Sequence, residues 1–360
     1  MKKYFVLFTL LFLFSAELYA SLDDQASRRA KKEWPVRSQY EIAVEIDPAT
    51  RSYKGHQKLI FTNRQKLSTN YVVFFVYPND PGLTKSQTPY MRISNPKVNG
   101  RTAKIEEKGP YLRIPLGQEL QKGQSITLDL DFQATLPEQK QSSDLFSEAI
   151  DELKKLMEPQ KQTDTDYGLF SSGKDIVNLG LWYPMLSKYD QNGWDEEKYS
   201  GVGDVSYFDP SDFKVSITVP AEYKVVTTGS ESNREVLPGS KLRYRINAPM
   251  ARDFEVELSR LYSEASRIIN RTRLRAFFLP QHSKSGQATL EHAAKAFEYF
   301  EKSFGRYPYT ELDIVEAPLF GGAGGVEFPG LVTISSMLYQ EDQQKQEDDL
   351  LKNLLSSNPV

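Results

Sequence analysis

The chain has 360 residues, and 45 Lys+Arg against 48 Asp+Glu leave a formal net charge of −3. With 39% hydrophobic and 26% charged residues it has the composition of a folded chain of about two domains, not of a disordered one. The charge balance argues against a basic nucleic-acid binder, the absence of cysteine excludes disulfides, thiolate metal sites and cysteine nucleophiles, and three histidines (His56, His282 and His292) leave little room for a histidine-rich metal site.

Lys2 and Lys3 precede an apolar run over residues 4–15, and Ala20 places a small residue before Ser21. This pattern predicts a secretory signal peptide over 1–20, too short for a comfortable membrane span. No second apolar run reaches membrane length, so the expected location is periplasmic or secreted, with no transmembrane segment after signal cleavage.

From Tyr40 the pattern has period two: Tyr40, Ile42, Val44 and Ile46 alternate with Glu41, Ala43 and Glu45, which predicts a strand closed by Asp47-Pro48. Lys58–Thr62 and Tyr71–Tyr77 read as further strands, the second apolar on both faces and therefore central. Asn79-Asp80-Pro81-Gly82 has turn chemistry. Ile126, Leu128, Leu130 and Phe132 alternate again. Over 138–165, Leu145, Phe146, Ala149, Ile150, Leu153, Leu156 and Met157 recur at helical spacing, which predicts an inserted surface helix packed on the sheet. Strands resume at Phe213–Val219, Tyr223–Thr228, Leu242–Asn247 and Phe254–Leu258. Residues 36–262 therefore read as one mainly β unit, a sandwich or saddle-shaped sheet.

The pattern changes near residue 265. Arg273–Leu279 reads as a strand ending at Pro280, and Leu290, Ala293, Ala294, Phe297, Phe300 and Phe304 define a helix from about 287 to 304. Leu312–Glu316 is a short strand, and Val326 to Ile334 holds one more. Leu350, Leu351, Leu354 and Leu355 carry a helix signal just before the chain stops. Residues 265–360 thus read as an α+β part that is expected to be incomplete.

The segment richest in chemistry is Gly321-Gly322-Ala323-Gly324-Gly325-Val326-Glu327-Phe328-Pro329-Gly330. Its glycines permit close backbone approach and φ > 0. A phosphate cradle does not fit, because no Lys-Ser/Thr follows and Glu327 stands where a dinucleotide fingerprint needs glycine. The loop leads into the strand Leu331–Ser335 and sets one carboxylate beside exposed backbone. Such an edge pairs with an extended peptide, and its carboxylate would meet a free α-amine. The other reading is a glycine hairpin with a solvated glutamate.

GGVEFPGLVTIS resembles the Gly-x-Met-Glu-Asn exopeptidase loop of the aminopeptidase N family of zinc metallopeptidases. LWYPM at 181–185, FDPSDFKVSITVPAEYKVVTTG at 208–229, ARDFEVELS at 251–259 and YPYTELDIVEAP at 307–318 agree in order. The resemblance implies an N-terminal β-saddle domain over 36–262, followed over 265–360 by the start of a thermolysin-like catalytic domain. It implies peptide N-termini as partners, with Glu327 binding the substrate amine and Gly324, Gly325 and Val326 lining the peptide. Val326 stands where methionine is usual and Phe328 where asparagine or tyrosine is usual, so the pocket shape for the first residue is not carried over. Residues 168–173 offer no side chain for the family's second amine anchor. The complete family enzyme uses zinc held by H-E-x-x-H, a motif this sequence lacks. No catalytic or metal-binding residue is therefore assigned, the histidines read as surface residues, and this chain alone is expected to bind no zinc and to be inactive. A missing C-terminal catalytic segment would then be its partner, and no nucleic acid is expected. The alternative is a non-catalytic secreted module that binds peptides or a partner on the same β domain.

Overall fold

The computed structural model describes residues 36–138, 166–173, 175–197, 207–319 and 323–339. The expected signal peptide over 1–20, the helix expected over 145–157 and the helix signal at 350–355 lie outside the described residues. In chain order the strands are β1 (Ser38–Asp47), β2 (Ser52–Thr62), β3 (Thr69–Phe75), β4 (Met91–Val98), β5 (Arg101–Thr102), β6 (Glu106–Lys108), β7 (Tyr111–Leu120), β8 (Ser125–Thr135), β9 (Phe170–Ser172), β10 (Val177–Leu179), β11 (Met185–Leu186), β12 (Tyr189–Asp190), β13 (Gly193–Trp194), β14 (Ser211–Pro220), β15 (Lys224–Thr227), β16 (Ser230–Leu237), β17 (Lys241–Ala251), β18 (Val256–Ser259), β19 (Ser263–Ile269), β20 (Thr272–Phe278), β21 (Glu311–Ala317), β22 (Gly325–Phe328) and β23 (Leu331–Ser335). The helices are α1 (Pro81–Thr84) and α2 (Ser283–Phe304). The molecule is mainly β with an α+β C-terminal part.

The largest sheet runs β16-β17-β14-β1-β2-β8-β4-β5. Alternation decides its faces: Tyr40, Ile42, Val44 and Ile46 of β1 are buried, whereas Glu41 and Glu45 point outward. Most neighbours are antiparallel, but β1 runs parallel to β14, Ser38 opposite Ser211, a pairing that only a long crossover can make. Arg37 locks this junction with a two-pronged ion pair to Asp212, both bonds at 2.9 Å.

Two four-stranded sheets, β15-β18-β10-β9 and β11-β3-β7-β6, close the inner face. The segment 181–185 pins these layers together. The Trp182 indole N–H donates to Phe254 O at 3.0 Å, Gln57 Nε2 donates to Pro184 O at 3.0 Å, and the Tyr53 hydroxyl donates to Trp182 O. Tyr40 stacks on Phe213 with ring centroids 4.7 Å apart, and Tyr183 meets Tyr40 edge-on at 5.7 Å. Gly55 is required where it stands, since a Cβ there would lie 2.4 Å from the Phe132 ring.

The five-stranded sheet β19-β20-β21-β23-β22 has apolar residues on both faces. Val315, Ala317, Leu331 and Phe328 join the large core of the β region. Leu274, Ala276 and Phe278 meet Leu290, Ala294 and Phe297 of α2. Gly286 lets the helix approach: a Cβ there would lie 2.1 Å from the Phe278 ring. Two hydrogen bonds tie this sheet to its surroundings, Tyr262 Oη to Glu316 O at 2.7 Å and Tyr309 Oη to Met250 O at 3.1 Å.

The structure differs from the sequence reading in three places. The turn at Asn79–Gly82 is helical: Tyr77–Asn79 forms a 3-10 turn, Pro81 opens α1, and Asp80 Oδ1 caps it by accepting from the Gly82 N–H at 2.8 Å. The single strand expected between Val326 and Ile334 is a hairpin of two. Finally, His282 is buried rather than on the surface, because Glu316 on β21 offers it a hydrogen bond at 2.8 Å.

Candidate functional site

The glycine-rich segment builds the free edge of the five-stranded sheet. β22 pairs antiparallel with β23, Gly325 opposite Ile334, Val326 opposite Thr333, Glu327 opposite Val332 and Phe328 opposite Leu331. Pro329-Gly330 makes the turn, and Gly330 has φ of +78°, the left-handed value a glycine after proline supplies. It is the only glycine with positive φ among those this segment contributes to the described residues. Gly325 serves close approach instead, since a Cβ there would lie 2.9 Å from Thr333 O.

β22 is terminal in its sheet, and among the described residues no strand covers its outer side. Ser335 N–H donates to Gly324 O at 3.0 Å. In an antiparallel pair the bonded positions alternate, so Val326 and Phe328 also bond inward. The backbone N–H and C=O groups of Gly325 and Glu327 are left pointing outward. Thr333 Oγ1 donates to Val326 O at 3.0 Å and fixes the inner side.

The side chains divide by the same alternation. Phe328 and Val326 pack on the β-region core. Glu327 lies on the opposite face and is exposed, and its carboxylate has no hydrogen bond or ion pair among the described residues. Val332, directly across from it, lines a cavity of about 790 Å³ between α2 and the sheet, walled by Phe297, Phe300, Phe304, Leu312 and Leu338. Gly324 is exposed beside Leu338, which a Cβ would meet at 3.8 Å. The four residues singled out in the sequence therefore share one strand edge: Glu327 presents an acceptor, Gly324 and Gly325 leave the backbone bare, and Val326 anchors the strand.

The remaining polar groups of this sheet are internal ties. Glu316 accepts from His282 Nδ1 and, through its other oxygen, from the Leu279 N–H at 2.8 Å, which fixes the entry into α2. Arg275 grips Asp313 with two bonds of 2.7 Å. Burial pushes the Asp313 carboxyl up to about 6, with Arg275 pulling against that rise.

No family model matches the sequence, and no curated protein matches it. Solved structures do. An M1 zinc metallopeptidase from Deinococcus radiodurans is 12% identical over 83% of this chain and 60% of its own, with a TM-score of 0.52. A two-domain M1 zinc metallopeptidase variant bound to L-arginine is 14% identical over 84% of this chain and 60% of its own, with a TM-score of 0.51. A Deinococcus radiodurans M1 variant bound to a Tyr-Ser-Ala substrate is 14% identical over 85% and 61%, with a TM-score of 0.51. At these identities the likeness is one of fold, that of the N-terminal domain of M1 peptidases. The chain spans about 60% of the length of the structures it matches.

Those structures are named for zinc, and the residues described here do not fit that ion. His56 lies on β2 between Asp131 at 2.8 Å and Asp129 at 3.6 Å, His282 is engaged by Glu316, and His292 is exposed on α2. No group of three or more His, Asp or Glu among the described residues is placed to hold a metal.

Proposed function

We propose that this chain carries the peptide-docking portion of an exported M1-type aminopeptidase. The β22 edge takes the first residues of a peptide as an added strand, through the outward groups of Gly325 and Glu327. The Glu327 carboxylate then receives the α-ammonium, so the site counts from the N-terminus. A charge-assisted bond of this kind contributes about 1.5–3 kcal/mol, roughly 10- to 150-fold in affinity. The supporting observation is the exposed carboxylate of Glu327, unengaged among the described residues, on a strand edge that no described strand covers. Lys2, Lys3 and the apolar run after them support export.

The hydrolytic step needs a metal-activated water, and this sequence contains no H-E-x-x-H to supply it. The chain alone therefore binds no stoichiometric zinc and does not turn over alanyl or leucyl chromogenic substrates in this reading. The same missing motif favours a second reading, a non-catalytic exported peptide-binding module.

Binding of a short fluorescent peptide to the full chain tests the docking role. The free-amine peptide should bind at least 10-fold more tightly than its N-acetylated form, and Glu327→Gln should erase the difference without lowering the melting temperature. Equal binding of both peptides removes Glu327 from the role. Chelator-sensitive turnover would overturn the assignment of the chemistry to residues outside this chain.

A further inference from the structure

The small sheet β15-β18-β10-β9 hides an unusual group of side chains. In β18 and the residue before it, Val256 and Leu258 enter the apolar core, so the alternate residues Glu255 and Glu257 share the opposite face. Both glutamates are 0% exposed, and among the described residues none of their four carboxylate oxygens has a hydrogen-bond partner. Asn178 stands directly opposite Glu257 in the β10–β18 register, which puts the two side chains on one face with Cβ atoms about 5 Å apart. Asn178 is also 0% exposed, and neither its Oδ1 nor its Nδ2 has a partner among the described residues. Gly180 lets the Glu255 carboxylate pack close to the β10 end: a Cβ there would lie 3.0 Å from Glu255 Oε2.

Native proteins rarely leave buried polar atoms without partners, and here three neighbouring residues do so together. Burial holds both carboxyls well above the usual range, and the charge of Glu257 pushes Glu255 further the same way. Asp253 adds to that effect on Glu255, and the Tyr77 and Tyr262 hydroxyls feel the glutamates in turn. Among the described residues no ion pair reaches either glutamate.

We propose that Glu255, Glu257 and the Asn178 amide oxygen form a binding site for one hard divalent cation, with Ca²⁺ as the ion of best fit. The donors are all oxygen, which suits Ca²⁺ or Mg²⁺ and not the nitrogen- and sulfur-seeking metals. Two carboxylates neutralise a divalent charge. Their four oxygens and the amide oxygen supply five of the six to eight ligands Ca²⁺ takes, whereas Mg²⁺ holds its waters and demands a stricter octahedron. Only two carboxylates and an amide take part, which accords with the absence, among the described residues, of any group of three acidic or histidine ligands. Carboxylates ligate in their deprotonated form, so acid competes with the metal. The site is built from β10, β18 and the residue before it, none of them part of β22, and does not rest on the peptide-docking reading.

Native mass spectrometry and thermal unfolding of the full, EDTA-stripped chain test the proposal. One Ca²⁺ should bind per chain, and the melting temperature should rise saturably with CaCl₂. Glu257→Gln and Glu255→Gln should each fold, melt at or above the wild type in EDTA, and lose at least 10-fold in Ca²⁺ affinity. Their EDTA melting temperatures separate loss of the site from loss of the fold. No saturable response to Ca²⁺ up to about 10 mM, above the weakest sites biology uses, would overturn the proposal. A Ca²⁺ response that Glu257→Gln leaves unchanged would do the same.

Discussion

The eight-stranded sheet and the five-stranded sheet bury themselves in opposite styles. The first is two-faced: Tyr40, Phe213 and Phe132 turn inward against the layer held by Trp182, while His56, Asp131, Arg243 and Arg245 face outward around a surface depression. The second is apolar on both sides and covered unevenly. Its inner face joins the large core, but its outer face has only α2 and the short 3-10 turn Ser336–Tyr339 among the described elements, and Phe300, Phe304 and Leu338 remain 56%, 82% and 54% exposed. An alternating sheet meets its burial needs with one partner layer, whereas a sheet with two apolar faces needs two. The wall of exposed aromatics along α2 marks the side on which that second requirement is only partly met.

Three substitutions separate these styles. The largest effect is expected for Trp182→Ala, which empties the centre of the β region and removes the bond to Phe254 O; the loss is about 3–5 kcal/mol, read from the shift of the denaturation midpoint. Because Val315, Ala317 and Leu331 share that core, one transition should move as a whole. A five-stranded sheet that melts separately at its old midpoint would show that the two regions are independent. Gly286→Val should cost about 1–3 kcal/mol, since the new side chain collides with Phe278. Its hydrogen-exchange signature should be confined to α2, β19 and β20, and an equal rise in β1, β2 and β8 would contradict local coverage. The smallest effect is expected for Phe304→Ser: stability unchanged within about 0.5 kcal/mol, with weaker binding of an apolar dye. A loss several times larger would mean that Phe304 packs against something outside the described residues.

The legibility of the sequence followed the same division. Where one face is wet, the alternation of Tyr40–Ile46 and of Ile126–Phe132 names both the strand and its buried side. Strands with weak alternation, such as Ser230–Leu237 with its run of exposed polar residues, and short strands such as Phe170–Ser172 carry no such pattern. Phe254–Leu258 shows where the rule misleads. Glu255 and Glu257 alternate with apolar neighbours as if they faced water, yet neighbouring layers cover them completely. His282 fails for a similar reason: its partner Glu316 is 34 residues away, and nothing local records that distance. The Glu327 edge was readable because turn, edge and carboxylate fall within a few consecutive residues. Its place as the last strand of the described sheet depends on the parallel alignment of β21 and β23, which only the whole structure supplies.

The parallel seam between β1 and β14 has a consequence for how the chain comes to be folded. Ser38 cannot find Ser211, nor Arg37 its carboxylate on Asp212, until well over a hundred intervening residues have been made. The middle of the great sheet is thus zipped by its most distant partners, an order of events that slows closure and leaves the early hairpin β1–β2 with an open flank meanwhile. A nascent chain of this design stays unfinished during its own synthesis, and its outermost residues receive their permanent neighbour only late, when β14 and β17 arrive together as a ready-made ribbon.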